Sequence, residues 1–341
     1  ITAKWFKCRV EKFYLFFDPW FSIFKKKIGD TVYGIGWLPL GGYVKISGMV
    51  DESMDKESLK LPPQSWEFRS KPAWQRLIIM LGGVTVNILL AFVIYAGILM
   101  TWGEKKIPAS SLKHGITFND SLFNDLGFKN GDKVLAVDGK PVVEYTDILK
   151  KILVVNNNVT VEREGKVTVL NMPVDLIGKL VEKKKLADGP LISPRIPVII
   201  SEIRDTSFAY KAGLRKGDLI VGVDTVQTKF YDQFDAVMKK QKKGDTINLV
   251  VKRNDSLINL TTTLIAGGKI GFSRPSSHEE YDSLGIYKYE VKKYGFFAAF
   301  PAGVKRAGKE LQFYIDQFKK ILSPSTGAYK GVGGFKAMGS V

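Results

Sequence analysis

LGFKNGDKVLAVDGKPV (residues 126–142) returns 86 positions later as AGLRKGDLIVGVDTVQT (residues 212–228). Gly127 falls on Gly213, Gly131 and Asp132 on Gly217 and Asp218, Val137 and Asp138 on Val223 and Asp224, and Tyr145 on Tyr231. Each copy reads as a short helix ending at a G-x-x-x-G-D turn, then a buried strand, KVLAV or LIVGV. A turn at Asp-Gly or Asp-Thr leads into a helix, TDILKKI or YDQFDAVMKK. A strand pair follows, VTVEREGKVTVLNMPV in one and INLVVKRNDSLINLTTTL in the other, alternating with period two around a polar turn. The sequence predicts two copies of one α/β unit, over residues 112–176 and 190–267. Between them VEKKKLADGPLISP (181–194) is charged, then broken by Pro and Gly, and reads as a linker.

Upstream, residues 77–102 (LIIMLGGVTVNILLAFVIYAGILMTW) carry no charged side chain. Twenty-six helical residues rise about 39 Å, against a hydrocarbon core of about 30 Å. The stretch is predicted to be a transmembrane helix. Trp74 and Trp102 stand near its ends, where amphipathic aromatics favour the interface. Arg69, Lys71 and Arg76 precede it and Glu104, Lys105 and Lys106 follow, a bias that leans only weakly toward a cytoplasmic N-terminal side. Gly82, Gly83 and Asn87 lie on neighbouring turns; such a face suits plain helix packing or the wall of an intramembrane site.

Before the span, YGIGWLPLGGYVKIS (33–47) sets aromatic and β-branched residues on either side of Pro39, Leu40, Gly41 and Gly42. It reads as a two-stranded ribbon with a glycine turn, membrane-associated because it is so apolar. Its edge either packs on a neighbouring helix or pairs with an extended peptide by β-augmentation. Residues 1–76 form this membrane-associated segment. Near the other end, residues 296–321 place Phe297, Phe300, Val304, Leu311, Tyr314, Phe318 and Ile321 among lysines. That predicts an amphipathic helix within residues 285–341, lying on a membrane or on the protein body.

The net charge of +17 is spread along the chain: 13 Lys and Arg against 8 Asp and Glu in residues 1–76, and 38 against 26 in residues 103–341. With no arginine-rich stripe, nucleic acid is not an expected partner. A lone cysteine, Cys8, excludes an intrachain disulfide. His278-Glu279-Glu280-Tyr281-Asp282 begins like H-E-x-x-H but ends in Asp and follows a loop-like SRPSS. It reads as a solvated turn, and His114 has no partner four residues away. Neither histidine is taken as a ligand: no metal-ligating or catalytic residue is expected in this stretch. The chain opens on Ile1 and closes in mid-pattern, and reads as a segment of a longer protein.

The repeated unit resembles the PDZ domain, in the strand order found in bacterial proteases, on A-G-L-x-x-G-D-x-I and the elements after it. Two copies that bind peptide and two degenerate copies that only pack or gate both fit. The whole order (glycine hairpin, span, two PDZ-like repeats) resembles the RseP-type site-2 proteases over nearly the entire chain. ITAKWFKCRVEKF is similar to the segment after that family's zinc helix, GWLPLGGYVK (36–45) to its membrane-reentrant hairpin, and AWQRLIIMLGGVTVN to its second transmembrane helix. Gly83-Val84 stands where the family usually has Gly-Pro.

The resemblance implies an α+β membrane protein with one transmembrane helix in this stretch. It implies an intramembrane zinc metalloprotease whose Zn2+, held by two histidines and an aspartate outside this sequence, activates a water. Its substrate would be a membrane-spanning protein, such as an anti-sigma factor, filtered by the PDZ pair. Gly36, Pro39, Gly41, Gly42, Tyr43 and Asn87 would be the substrate-binding residues. The lipid bilayer is the other expected partner, the bacterial inner membrane the expected location, with the PDZ-like repeats periplasmic. A catalytically inactive relative that holds partners is the alternative reading.

Overall fold

The computed structural model describes residues 1–49, 62–154, 156–182, 190–265 and 268–331. It divides into two units, Ile1–Ala96 and Gly97–Val341.

In the first unit a one-turn helix α1 (Thr2–Trp5) precedes four strands, β1 (Val10–Tyr14), β2 (Phe17–Ile28), β3 (Thr31–Leu38) and β4 (Tyr43–Ile46). They form one sheet in the order β2-β3-β1-β4. The hairpin is β2–β3, antiparallel around Gly29 and Asp30. This corrects the ribbon expected over 33–47: both of its strands form, but β1 lies between them, parallel to β3 and antiparallel to β4. The glycines that read as turn residues are there for close approach. A Cβ on Gly36 would meet the Phe17 carbonyl, and one on Gly42 the Tyr14 carbonyl. The four residues 39–42 reach at most about 14 Å, enough to step over one strand at about 4.8 Å spacing.

The register also sorts the sheet along its length. Lys27 pairs with Val32, Lys25 with Gly34, Phe24 with Ile35 and Phe17 with Leu38. Lys12 lies opposite Val32 and Tyr14 opposite Gly34 and Tyr43. One end therefore holds Arg9, Lys12, Lys25, Lys26, Lys27 and Asp30, and the other holds Phe16, Phe17, Trp20, Phe21, Trp37, Leu38 and Leu40. Trp20 (81% exposed) and Leu40 (76%) show that this second end is not a buried core. The small core of the unit is Ala3, Cys8, Val10 and Ile79, with Phe6 edge-on to Trp74 at 5.4 Å.

Helix α2 (Ala73–Thr101) has 29 residues and its apolar side chains are exposed along most of its length. It starts four residues before the uncharged run because Pro72, with φ preset, opens its first turn. It ends where Gly103, at φ 73°, donates to the Leu99 carbonyl at 3.1 Å.

The second unit begins with β5 (Glu104–Lys106). The first repeat follows as β6 (Ile116–Phe118), α3 (Ser121–Asp125), β7 (Lys133–Val137), β8 (Lys140–Pro141), α4 (Tyr145–Leu153), β9 (Asn158–Arg163), β10 (Lys166–Asn171), α5 (Leu176–Glu182) and β11 (Ile192–Pro194). The second is β12 (Val198–Ile199), β13 (Glu202–Ile203), α6 (Phe208–Lys211), β14 (Leu219–Val223), β15 (Val226–Gln227), α7 (Tyr231–Met238), β16 (Thr246–Arg253), β17 (Ser256–Thr263) and β18 (Phe272–Ser273). The sheets match: β10-β9-β7-β8 with β11-β6 in one, and β12-β14-β16-β17, β15 on β14, with β13-β18 in the other. The 181–194 stretch is only partly a linker, since α5 runs into it and β11 pairs with β6.

Each repeat has its own core, around Phe123, Ile148 and Val161 in the first and Leu214, Phe234 and Leu249 in the second. Arg195 forks Asp232 at 3.1 and 3.0 Å, and Asn130 donates to the same carboxylate at 3.0 Å. The His114 and Phe230 ring centroids are 5.1 Å apart, and the Arg195 guanidinium lies over the Phe230 ring at 4.0 Å. Beyond the repeats come α8 (His278–Ser283), β19 (Glu290–Lys292), which pairs with β5, and α9 (Phe296–Leu322). The expected solvated turn at 278–282 is thus a helix, capped by Ser277, with Tyr281, Ile286 and Tyr287 in the first repeat's core. Helix α9 docks its polar face on α4 through Lys150–Glu310 at 3.2 Å and Lys309–Asp147 at 2.9 Å. Phe297 (87% exposed), Leu311, Tyr314 and Phe318 face away.

Candidate functional sites

The apolar end of the first unit's sheet carries most of the expected substrate-binding residues. Pro39, Gly41 and Gly42 form the crossing between β3 and β4, and Tyr43 opens β4. Gly36 is interior, between β2 and β1, so its backbone is not a free edge; β4 is an edge strand of the sheet and Tyr43 stands on it. The Tyr43 ring stacks on Tyr14 at 5.3 Å and on Phe17 at 6.1 Å. Its hydroxyl donates to Asp18 Oδ1 at 3.0 Å, while Ser22 Oγ donates to Oδ2 at 3.1 Å and lies 3.3 Å from the Tyr14 hydroxyl. This carboxylate, the only charge in residues 13–24, is held by two hydroxyls, Tyr43 on β4 and Ser22 on β2, and Ser22 in turn meets the Tyr14 hydroxyl of β1. Sequence reasoning passed over Asp18 because only the β1 insertion brings residues 14, 18, 22 and 43 together. Asn87 lies on α2 and is exposed.

A second candidate is a groove in the second repeat, about 1050 Å³, between α7 and the segment 268–274 that includes β18. Phe234, Met238, Ile270 and Phe272 give it an apolar floor, and Asp235, Lys239, Lys269 and Arg274 a charged rim. Burial pushes the Asp235 carboxyl above its ordinary range, against the pull of Arg274 and Lys239. An extended segment lying there has strand β18 on one side and helix α7 on the other. In the first repeat the corresponding helix face is covered. Ile148 and Ile152 are fully buried in one core with Leu176 and Leu180 of α5 and with Tyr281, Ile286 and Tyr287. The repeat predicts both helices, but not that one face is open and the other filled. The filling residues come from α5, α8 and the segment just after α8, which have no counterpart in the repeat.

His278 Nδ1 is 2.9 Å from the Tyr287 hydroxyl and the ring stacks on Tyr289 at 5.0 Å. Burial, with Arg195, Lys113 and Lys133 nearby, lowers the His114 pKa. Among the described residues no three His, Cys, Asp or Glu side chains are grouped to hold a metal ion.

The fold and these sites are those of a chain with tandem α/β repeats after a long apolar helix. The description of peptidase family M50 matches residues 1–338, and the chain belongs to that family, the site-2 proteases. Relatives provisionally described as zinc metalloproteases include one from Chlamydia pneumoniae, 33% identical over 50% of this chain and 27% of its own length. Another, from Rickettsia conorii, is 32% identical over 55% of this chain and 53% of its own, and one from Borreliella burgdorferi 27% identical over 84% and 60%. The chain thus spans between about a quarter and two thirds of the length of these and other curated relatives it matches. Among solved structures, the PDZ domain of an SdrC-like protein from Listeria monocytogenes matches 23% of this chain and 85% of its own, at 27% identity and a TM-score of 0.21.

Proposed function

We propose that this chain is the central part of an intramembrane zinc metalloprotease that cleaves a membrane-spanning protein within the bilayer of a bacterial inner membrane. The observation that carries the reading is the family match over residues 1–338, on a chain whose α2 is a 29-residue apolar helix. A bound zinc supplies an activated water, and its ligands belong to parts of the protein outside this stretch. The residues in hand bind and position. We read α2 as the transmembrane helix, with Asn87 facing the substrate path, and the apolar end of the sheet as dipping into the membrane. An unfolded substrate segment adds to the β4 edge at Tyr43, as an extended peptide adds to any open sheet edge. The repeats are PDZ-like filters on the periplasmic side, and the open groove of the second is the one that takes a peptide.

The test is cleavage of a model transmembrane substrate by the purified full-length protein. Activity that a chelator abolishes and zinc restores is expected. A full-length protein that binds partners through the repeats but contains no zinc and cleaves nothing would instead be the inactive relative. Reading the encoded residues before Ile1 and after Val341 for H-E-x-x-H and Leu-Asp-Gly motifs gives an independent answer.

A further inference from the structure

The sheet of the first unit is amphipathic along its strands, whereas a surface sheet is ordinarily amphipathic across its faces. At the Gly29–Asp30 end and on the segment leading to β1 stand Lys4, Lys7, Arg9, Lys12, Lys25, Lys26, Lys27 and Lys45, against Glu11 and Asp30. Asp30 is already paired with Arg9 at 3.5 Å, and Glu11 with Lys45 at 3.7 Å. The same end holds a recess of about 510 Å³ whose walls include Lys4, Lys7, Arg9, Trp66 and the carboxylate of Asp30, and Lys4 Nζ donates to the Tyr33 hydroxyl at 2.8 Å. Lys7 sits in left-handed backbone, φ 56°, which a lysine adopts against its preference. β2 is irregular between Phe17 and Ser22 and between Ser22 and Phe24, and Phe17 and Lys25 stand opposite Leu38 and Gly34 of β3, four residues apart, about 13 Å along the sheet, close to the half-thickness of a bilayer's hydrocarbon core at about 15 Å.

We infer that the recess formed by Lys4, Lys7 and Arg9, with the neighbouring Lys25, Lys26 and Lys27, is a binding site for the headgroup of an anionic phospholipid. The inference rests on the membrane-dipping reading of the sheet. With the aromatic end in hydrocarbon, the lysines stand at the depth of the phosphates. Charge complementarity selects the anionic class, since each cation near an anionic surface strengthens attraction by about fivefold. The Trp66 ring at the recess is of the type that settles at the headgroup level. Free phosphate offers the same anion, but lacks the acyl chains that the aromatic end would solvate.

The experiment uses full-length protein in detergent, carried through delipidation with phosphatidylglycerol or phosphatidylcholine and read by native mass spectrometry. Phosphatidylglycerol should remain bound where phosphatidylcholine is lost. The Lys7→Gln/Arg9→Gln and Lys25→Gln/Lys26→Gln/Lys27→Gln variants should each lower its retention by at least tenfold. Equal retention of the two lipids, or retention unchanged in both variants, overturns the site. Inorganic phosphate that displaces phosphatidylglycerol at comparable concentration overturns the lipid assignment. Should a variant not fold, the parent gives the answer by salt: retention that does not fall with ionic strength overturns the site as well. Quenching of Trp20 by chain-brominated lipid, identified by its loss in Trp20→Phe, reports insertion separately. Insertion without headgroup preference defeats this inference alone, and absence of insertion defeats the membrane reading beneath it.

Discussion

Arg253 holds both carboxylate oxygens of Asp218 at 2.7 Å and, with the same Nη2, the Gly213 carbonyl at 2.7 Å. Arg163 does the same to Asp132 and Gly127 in the first repeat. Asp218 and Asp132 are each 1% exposed, so the guanidinium that locks the G-x-x-x-G-D turn to the end of β9 or β16 is also what makes the buried charge tolerable. Arg253→Ala should destabilise the second repeat by about 3 kcal/mol, the low end for breaking a buried pair, because the guanidinium partly reaches solvent. Hydrogen exchange should quicken in β14 and β16 of the full chain while the first repeat's strands keep their protection. Equal loosening of both repeats would show that they unfold together.

At the inter-repeat contact, His114 should act as an acid-sensitive element. Burial, then Arg195, Lys113 and Lys133, lower its pKa from 6.5. The unfolded chain therefore binds its proton more readily than the folded one. The stability that neutral His114 contributes is complete above about pH 6.5 and drains away as pH falls toward the lowered value. The thermal midpoint should fall between pH 7.5 and pH 5, and by less in His114→Gln. An identical fall in both proteins would remove His114 from the account.

In the second repeat's groove, Asp235→Lys should shift peptide choice without unfolding the repeat, since the residue reaches solvent at the groove rim although its carboxyl is partly covered. Binding of a peptide with a basic residue facing α7 should weaken about fivefold or more, one charge pair at about 1 kcal/mol. Fluorescence polarisation on the full-length protein measures this. Peptide binding indifferent to position 235 would place the ligand elsewhere.

In the sheet, Tyr43→Phe removes the hydroxyl that reaches Asp18 at 3.0 Å and should destabilise by about 1 kcal/mol. Substrate cleavage should suffer more than stability if β4 is the edge the substrate joins. Gly36→Val has no such subtlety. Its side chain would meet the Phe17 carbonyl backbone, and a loss of about 3 kcal/mol is expected from overpacking against groups that cannot move aside. Circular dichroism with a thermal ramp distinguishes the two.

The periodicities that survive in sequence belong to elements whose partners are nearby in the chain. α4, α7, β7 and β14 were legible because each copy repeats the same local grammar, and α2 because no charge interrupts residues 77–102. α9 was legible from its stripe of Phe297, Phe300, Val304 and Leu311. The pairing of β3 with β2 was not, because the apolar run of β2 carries FDPW, whose Pro19 and Asp18 read as a break. Nor was the closure of the first repeat, which depends on Tyr281 and Tyr287 returning from more than a hundred residues away. The Asp18 cluster depends on two features the local pattern hides: a strand inserted where a hairpin is expected, and a carboxylate in an otherwise apolar end.

The lengthwise sorting of the first sheet alters what a mutation in it can break. In a two-faced sheet a one-residue slip turns the core outward. Here the aromatic and basic residues are also sorted along the strands, although Val10 at the basic end packs into the core with Ile79. A slip therefore changes level as well as face: each residue gained or lost between Phe24 and Lys25 moves the aromatic end by about 3.3 Å relative to the lysines. The sheet works as a gauge of length, and its tolerance to substitution should far exceed its tolerance to insertion.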